Sequence, residues 1–135
     1  YRKKTWPIEK FINVAIKLSK QNKQPVFFIE KNNNELIKKI KKQVKDALFP
    51  EINTNLSGPA LVTALSTRLS KAISIDNGIM HMIGLANIPM IVLFGPTNSE
   101  KFTPKIEKIN ILDSKSIYNS DDITKITEED VLKLI

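Results

Sequence analysis

Apolar residues along this chain fall into two patterns that take turns. Ile8, Phe11, Ile12, Ala15, Ile16 and Leu18 recur at helical spacing behind Pro7, which stands at a favoured first-turn position. That spacing predicts a helix ending near Gln21 and Asn22. Pro25 to Glu30 is instead an unbroken apolar run between a proline and an asparagine cluster, the form of a strand buried on both faces. Asn33 or Asn34 can cap a second helix with Ile37, Ile40, Val44 and Leu48 at intervals of three and four. Its other side carries Lys38, Lys39, Lys41, Lys42 and Lys45, the usual composition of a solvated helix face.

Further on, a short strand is expected near Glu51 to Asn53. Ser57-Gly58-Pro59 then opens a helix to about Leu69, with Leu61, Leu65 and Leu69 on its inner stripe. Lys71 to Asp76 reads as strand, Gly78 to Ala86 as helix, and Pro89 to Phe94 and Asn110 to Leu112 as strands. Thr127-Glu-Glu-Asp130 is a capping signature for a last helix through Val131, Leu132 and Ile135. Alternation of this kind predicts an α/β fold, a Rossmann-like parallel sheet with helices on both faces. No repeat or linker interrupts it, so residues 1–135 are expected to form one domain. Doubly wound layers ordinarily begin with a central strand, whereas this chain begins with a helix. The expectation is a piece of a longer protein whose first strand is missing, or a sheet completed by another segment.

Composition removes several classes of function. With 135 residues and 41% hydrophobic positions the chain can bury a substantial core. It has no cysteine, which excludes disulfides and thiolate chemistry, and its single histidine excludes a multi-histidine metal cluster. Gly78 to Pro96 is apolar enough to suggest a membrane span, but Asn87-Ile88-Pro89 interrupts it. No signal stretch opens the chain, so a cytoplasmic protein is expected. The net charge of +7, nearly all from lysine, favours anionic partners without choosing among them. Abundant Lys, Asn and Ile suggest an AT-rich, microbial genome.

Candidate chemistry gathers where strands end. Ser74-Ile-Asp-Asn-Gly-Ile-Met-His81 spans a strand end and a helix start, and in open parallel sheets the ligand crevice lies outside the carboxyl ends of the strands. Gly78 is expected to take backbone angles closed to other residues, so that successive amides point outward and hold a phosphate. Asp76 would repel a phosphate and is expected to face hydroxyl groups or to hold the loop. His81 lies one turn into the helix, on the crevice side if Gly78 is, or else is an ordinary core residue. Phe94-Gly95-Pro96-Thr97 places a tight backbone and a hydroxyl at the same edge, although such a sequence alone is also an ordinary turn. Arg2-Lys3-Lys4-Thr5-Trp6-Pro7 puts cations just ahead of a helix, with Trp6 packing beneath them; exposed terminal lysines alone say little.

In this order and spacing, Lys4-x-Trp6-Pro7, Asp76-x-Gly78-x-x-His81 and Phe94-Gly95-Pro96-Thr97 resemble the carboxyl-terminal domain of family 9 glycosyltransferases, the lipopolysaccharide heptosyltransferases and their relatives. The resemblance covers essentially the whole chain, including the closing Ile126-to-Val131 segment. It implies one half of a GT-B enzyme that binds a nucleotide-sugar donor, typically an ADP-heptose, without metal or other cofactor. Position by position, it implies that Lys4 reaches the donor's phosphates and sugar and that Asp76 faces sugar hydroxyls. Asn77, Gly78 and Ile79 correspond to the loop whose amides hold the diphosphate, with His81 and Thr97 beside it and Glu35 near the ribose. The general base belongs to the facing domain, so no catalytic residue is expected in this chain and the fragment alone is expected to be inactive. Transfer to a glycolipid acceptor with inversion is the implied reaction.

Two other readings compete. Sugar-nucleotide 2-epimerases share the two-domain scaffold and a similar loop, but their pattern places Glu where His81 stands and lacks Phe94-Gly-Pro-Thr97. A basic nucleic-acid-binding module would account for the charge, yet Phe27, Phe28 and Phe94 lie in apolar runs rather than among the cations. No nucleic acid is therefore expected as a partner. The lysine face of the second helix suggests contact with an acidic membrane surface, at the inner face of the inner membrane, as an addition to the transferase reading.

Overall fold

A computed structural model of the protein describes residues 2–30, 32–53, 59–102 and 107–135. Its α-helices are α1 (Ile8–Lys20), α2 (Asn34–Gln43), α3 (Pro59–Ser66), α4 (Gly78–Gly84), α5 (Ser99–Phe102), α6 (Ser114–Tyr118) and α7 (Glu128–Leu132). Strands β1 (Ala72–Ile75), β2 (Met90–Phe94) and β3 (Ile109–Asp113) form a parallel sheet with β2 in the middle. Single 3₁₀ turns lie at Arg2–Lys4, Pro50–Asn53 and Ile123–Lys125.

All five residues of β2 are buried, which its unbroken Met-Ile-Val-Leu-Phe sequence requires of a strand covered on both sides. Because side chains alternate, they feed two cores. Ile91 and Leu93 pack with Trp6, Val14, Leu112, Ile126 and Val131 beneath α1 and α7. Met90, Val92 and Phe94 pack with Val62, Ala72, Met80 and Ile83 beneath α3 and α4. Helices thus cover both faces, as the alternation predicts. A third cluster joins Ile12 and Ala15 of α1 to Ile37 and Ile40 of α2, with Val44 and Phe49.

Several elements differ from the expectation. Pro25 to Glu30 contributes only a parallel bridge, Val26 to Leu48, rather than a strand of the sheet. Its alternation survives nonetheless, with Phe28 packed against the α3–α4 core and Phe27 and Ile29 against the third cluster. Glu51 to Asn53 belongs to a 3₁₀ turn, not a strand, and Leu48 lies beyond α2 and is 52% exposed. The buried positions of α3 are Val62 and Ser66, while Leu61 and Leu65 are half-buried; the Ser66 hydroxyl donates to the Val62 carbonyl at 2.7 Å and so is buried without needing water. Ser57 and Gly58, expected to open that helix, lie outside the described residues. α6 follows β3 without a break, capped by the Asp113 carboxylate on the Lys115 amide. The capping box at Thr127 and Asp130 is present in both directions. Among the described residues no helix is long and apolar enough to cross a membrane.

Candidate donor site at the carboxyl edge of the sheet

Parallel register decides which loops become neighbours. Ile75 pairs with Leu93 and Phe94 with Asp113, so the segments beginning at Asp76, Gly95 and Ser114 leave the sheet side by side. The Lys115 ammonium donates to the Pro96 carbonyl at 2.8 Å and links the start of α6 to the Phe94–Thr97 loop.

In the first loop Asn77 is the N-cap of α4. Its side-chain oxygen accepts from the Met80 amide at 3.1 Å, leaving the amides of Gly78 and Ile79 without an acceptor among the described residues. Gly78 is not in the left-handed region, so the expected need for glycine backbone angles is not met. What distinguishes the position is space, since a Cβ built there would meet nothing within 4 Å. Asn77 and Gly78 are exposed, and Asp76 and Ile79 are half-buried. Met80 and Ile83 turn into the core and His81 is exposed, which excludes the reading of His81 as a core residue.

The amino-terminal segment reaches this edge through several fastenings. Trp6 is 1% exposed, packs edge-on against Phe11 at 4.8 Å, and donates its indole N–H to the Ile126 carbonyl at 3.0 Å. Lys10 donates to the carbonyls of Thr124 (2.6 Å) and Ile126 (2.8 Å). Lys3 forms a 3.1 Å ion pair with Asp121. The Lys3 backbone carbonyl lies directly against Gly95, closer than a Cβ there would allow. The Arg2–Lys4 turn therefore sits on the carboxyl end of β2, with Lys4 exposed beside it. Thr97 is half-buried in the adjacent loop. Glu35 is exposed on the first turn of α2, with no ion pair or hydrogen bond to its carboxylate among the described residues.

Sequence reading did not anticipate the segment that holds this turn down. Asp122 caps the 3₁₀ turn Ile123–Lys125, accepting from the Thr124 hydroxyl at 2.7 Å and the Thr124 amide at 3.0 Å. Asp-x-Thr was the available signal. Those two bonds, the hydroxyl first, hold the Asp122 carboxyl below its ordinary range. At Asp130 burial pushes upward, but the Tyr118 hydroxyl and the Thr127 amide and hydroxyl outweigh it and leave the pKa lowered. A lowered folded pKa means that both groups contribute stability above the ordinary carboxylate range, about pH 4. That contribution is lost as pH falls through their lowered folded values. The thermal midpoint is accordingly expected to drop on acidification below about pH 4, and Asp122→Asn with Asp130→Asn to flatten that profile while lowering the midpoint at pH 7.

A parallel sheet with helices on both faces is the Rossmann-like arrangement of one half of a GT-B glycosyltransferase. Residues 1–132 match the profile of glycosyltransferase family 9 (heptosyltransferase), and the chain belongs to that family. Three solved structures share the fold. A family 9 glycosyl transferase from Veillonella parvula is 23% identical with a TM-score of 0.80, over 99% of this chain and 41% of its own. The E. coli ADP-heptose lipopolysaccharide heptosyltransferase II is 21% identical with a TM-score of 0.75, over 98% and 41%. E. coli heptosyltransferase WaaC with ADP is 14% identical with a TM-score of 0.81, over 98% and 39%. The chain thus spans about two fifths of the length of each. No curated protein matches it.

Proposed function

We propose that this chain is the donor-binding half of a bacterial glycosyltransferase, taking a nucleotide-diphosphate sugar of the ADP-heptose type for transfer to a lipopolysaccharide or related glycolipid. The observation that carries the reading is the pair of acceptor-free amides at Gly78 and Ile79, with open space over Gly78, beside the Phe94–Thr97 loop. The similar E. coli enzymes are an ADP-heptose transferase and one solved with ADP, which supports this donor class.

In this mechanism the two amides and Lys4 take up charge on the departing nucleoside diphosphate, electrostatic stabilisation that needs no metal. Asp76 accepts hydrogen bonds from sugar hydroxyls, Thr97 and His81 line the same crevice, and Glu35 approaches the ribose. A carboxylate of a facing domain deprotonates the acceptor hydroxyl, which attacks opposite the diphosphate and inverts the anomeric carbon. The chain by itself therefore binds donor weakly and transfers no sugar. Transfer to a glycolipid fits work at the cytoplasmic face of the inner membrane.

Titration of the chain with ADP and ADP-sugar by protein NMR tests the proposal. Saturable shifts are expected at the amides of Asn77, Gly78 and Ile79 and at the His81 ring, weakened in Lys4→Ala. Unmoved spectra from a folded chain, or sugar transfer by the isolated chain, would count against it.

A further inference from the structure

Most of the net positive charge of this protein lies in one internal stretch, with a further +3 from Arg2, Lys3 and Lys4 at the start of the chain. Residues 8–48 carry ten lysines and four carboxylates, a net +6, whereas residues 49–135 carry eight cations and ten carboxylates, a net −2. The first stretch contains α1 and α2, which lie side by side through the third cluster. Two cross-links fix their alignment. Glu9 near the start of α1 pairs with Lys39 at 2.5 Å, and Ser19 near its end donates to Asp46 at 2.8 Å. Glu9 and Asp46 are thus engaged by neighbours within this stretch, and its other two carboxylates, Glu30 and Glu35, are exposed.

The outward surface of this pair holds Lys38, Lys41 and Lys42 at helical spacing on α2, with Lys45 just past its end, and Lys17 and Lys20 on α1. All six are exposed. Lys41 lies over the Phe49 ring at 5.6 Å, so the segment carrying Leu48 (52% exposed) and Ile52 (37% exposed) borders the lysines. A sheet of exposed ammonium groups edged by two exposed aliphatic side chains suits an anionic bilayer. Lipid headgroups satisfy the charges diffusely, and the aliphatic groups enter the acyl boundary. Nucleic acid fits less well. Neither arginine of the chain lies in this stretch, and bidentate phosphate and base contacts rely on arginine.

We infer that the α1–α2 lysine face, with Leu48 and Ile52, docks the protein on an anionic lipid bilayer. This goes beyond the donor reading and stands independently of it. Cosedimentation of the 135-residue chain with phosphatidylcholine vesicles, with and without phosphatidylglycerol, at physiological ionic strength is the test. Binding is expected only to the anionic vesicles. Lys38→Glu/Lys42→Glu/Lys45→Glu is expected to weaken it at least about tenfold. Arg68→Glu/Lys108→Glu/Lys133→Glu, an equal change in net charge on the other part of the fold, is expected to leave it largely intact. Leu48→Ser lowers vesicle binding as well. Circular dichroism establishes that each variant is folded, and Lys38→Gln/Lys42→Gln/Lys45→Gln replaces the reversed triple if that one unfolds. Equal losses from the two triples, or no binding to anionic vesicles, would overturn the inference. So would tighter binding to a DNA duplex that is lost in the α2 triple and unchanged in Leu48→Ser.

Discussion

Trp6→Ala is expected to cost about 3–5 kcal/mol of folding stability, the range for deleting a fully buried aromatic side chain. Domains of this size are stable by about 5–15 kcal/mol, so the variant should unfold at much lower urea or be partly unfolded at 25 °C. The argument rests on position as much as on size. Trp6 occupies the core beneath α1 and α7 together with Ile91 and Leu93 of the central strand, and it meets Phe11 edge-on. Its removal leaves a cavity where the amino-terminal segment crosses to the sheet. Trp6→Phe separates the packing from the hydrogen bond. The Ile126 carbonyl keeps its bond from Lys10 when the indole N–H is gone, so no buried acceptor is orphaned and the loss should be much smaller than for alanine. Urea unfolding of both variants checks this. The alanine variant should also weaken any donor contact made by Lys4, because the turn bearing Lys4 is held to the edge through Trp6.

The layered fold was legible because burial on two faces leaves a plain trace. Met90 to Phe94 is apolar without interruption, and the structure divides it between two cores. The Thr127–Asp130 capping box was legible because it is made wholly from residues three apart. Interactions between distant segments left less trace. Pro25 to Glu30 has the composition of a buried strand and the alternation of one, but pairing depends on what lies beside it, and among the described residues only Val26 and Leu48 pair here. Leu48 fits the helical spacing of α2 yet falls after Val44 has already left the helix, and periodicity cannot see that end. At the site, sequence order placed Asp76–His81 and Phe94–Thr97 at neighbouring strand ends. It did not give the contact between Lys3 and Gly95, nor the Asp121 and Asp122 turn that secures it, since these join residues about 90 to 120 apart.

The same substitution at the two glycines of this edge is expected to have opposite consequences. At Gly95 a Cβ would collide with the Lys3 carbonyl and come within 2.9 Å of the Asp121 carbonyl and of the Ile123 side chain. Two of those three neighbours are backbone, and they belong to the segments that hold the amino-terminal turn, so neither can move aside locally. Gly95→Ala should therefore destabilise the fold by about 2–3 kcal/mol, the cost of overpacking a filled site. It should also weaken ADP binding, but only as a result of displacing the turn. Gly78→Ala should change stability by no more than about 0.5 kcal/mol, because its Cβ meets nothing and the backbone is already open to alanine. Yet on the proposed donor reading, a diphosphate held by the Gly78 and Ile79 amides competes with that methyl group for the open space over Gly78. ADP affinity should then fall at least tenfold in a protein that melts like the wild type. Thermal unfolding and ADP titration of both variants separate the two effects. If Gly78→Ala binds ADP as the wild type does, the nucleotide does not rest on these amides, and the phosphate contacts must be sought nearer Lys4 and Thr97.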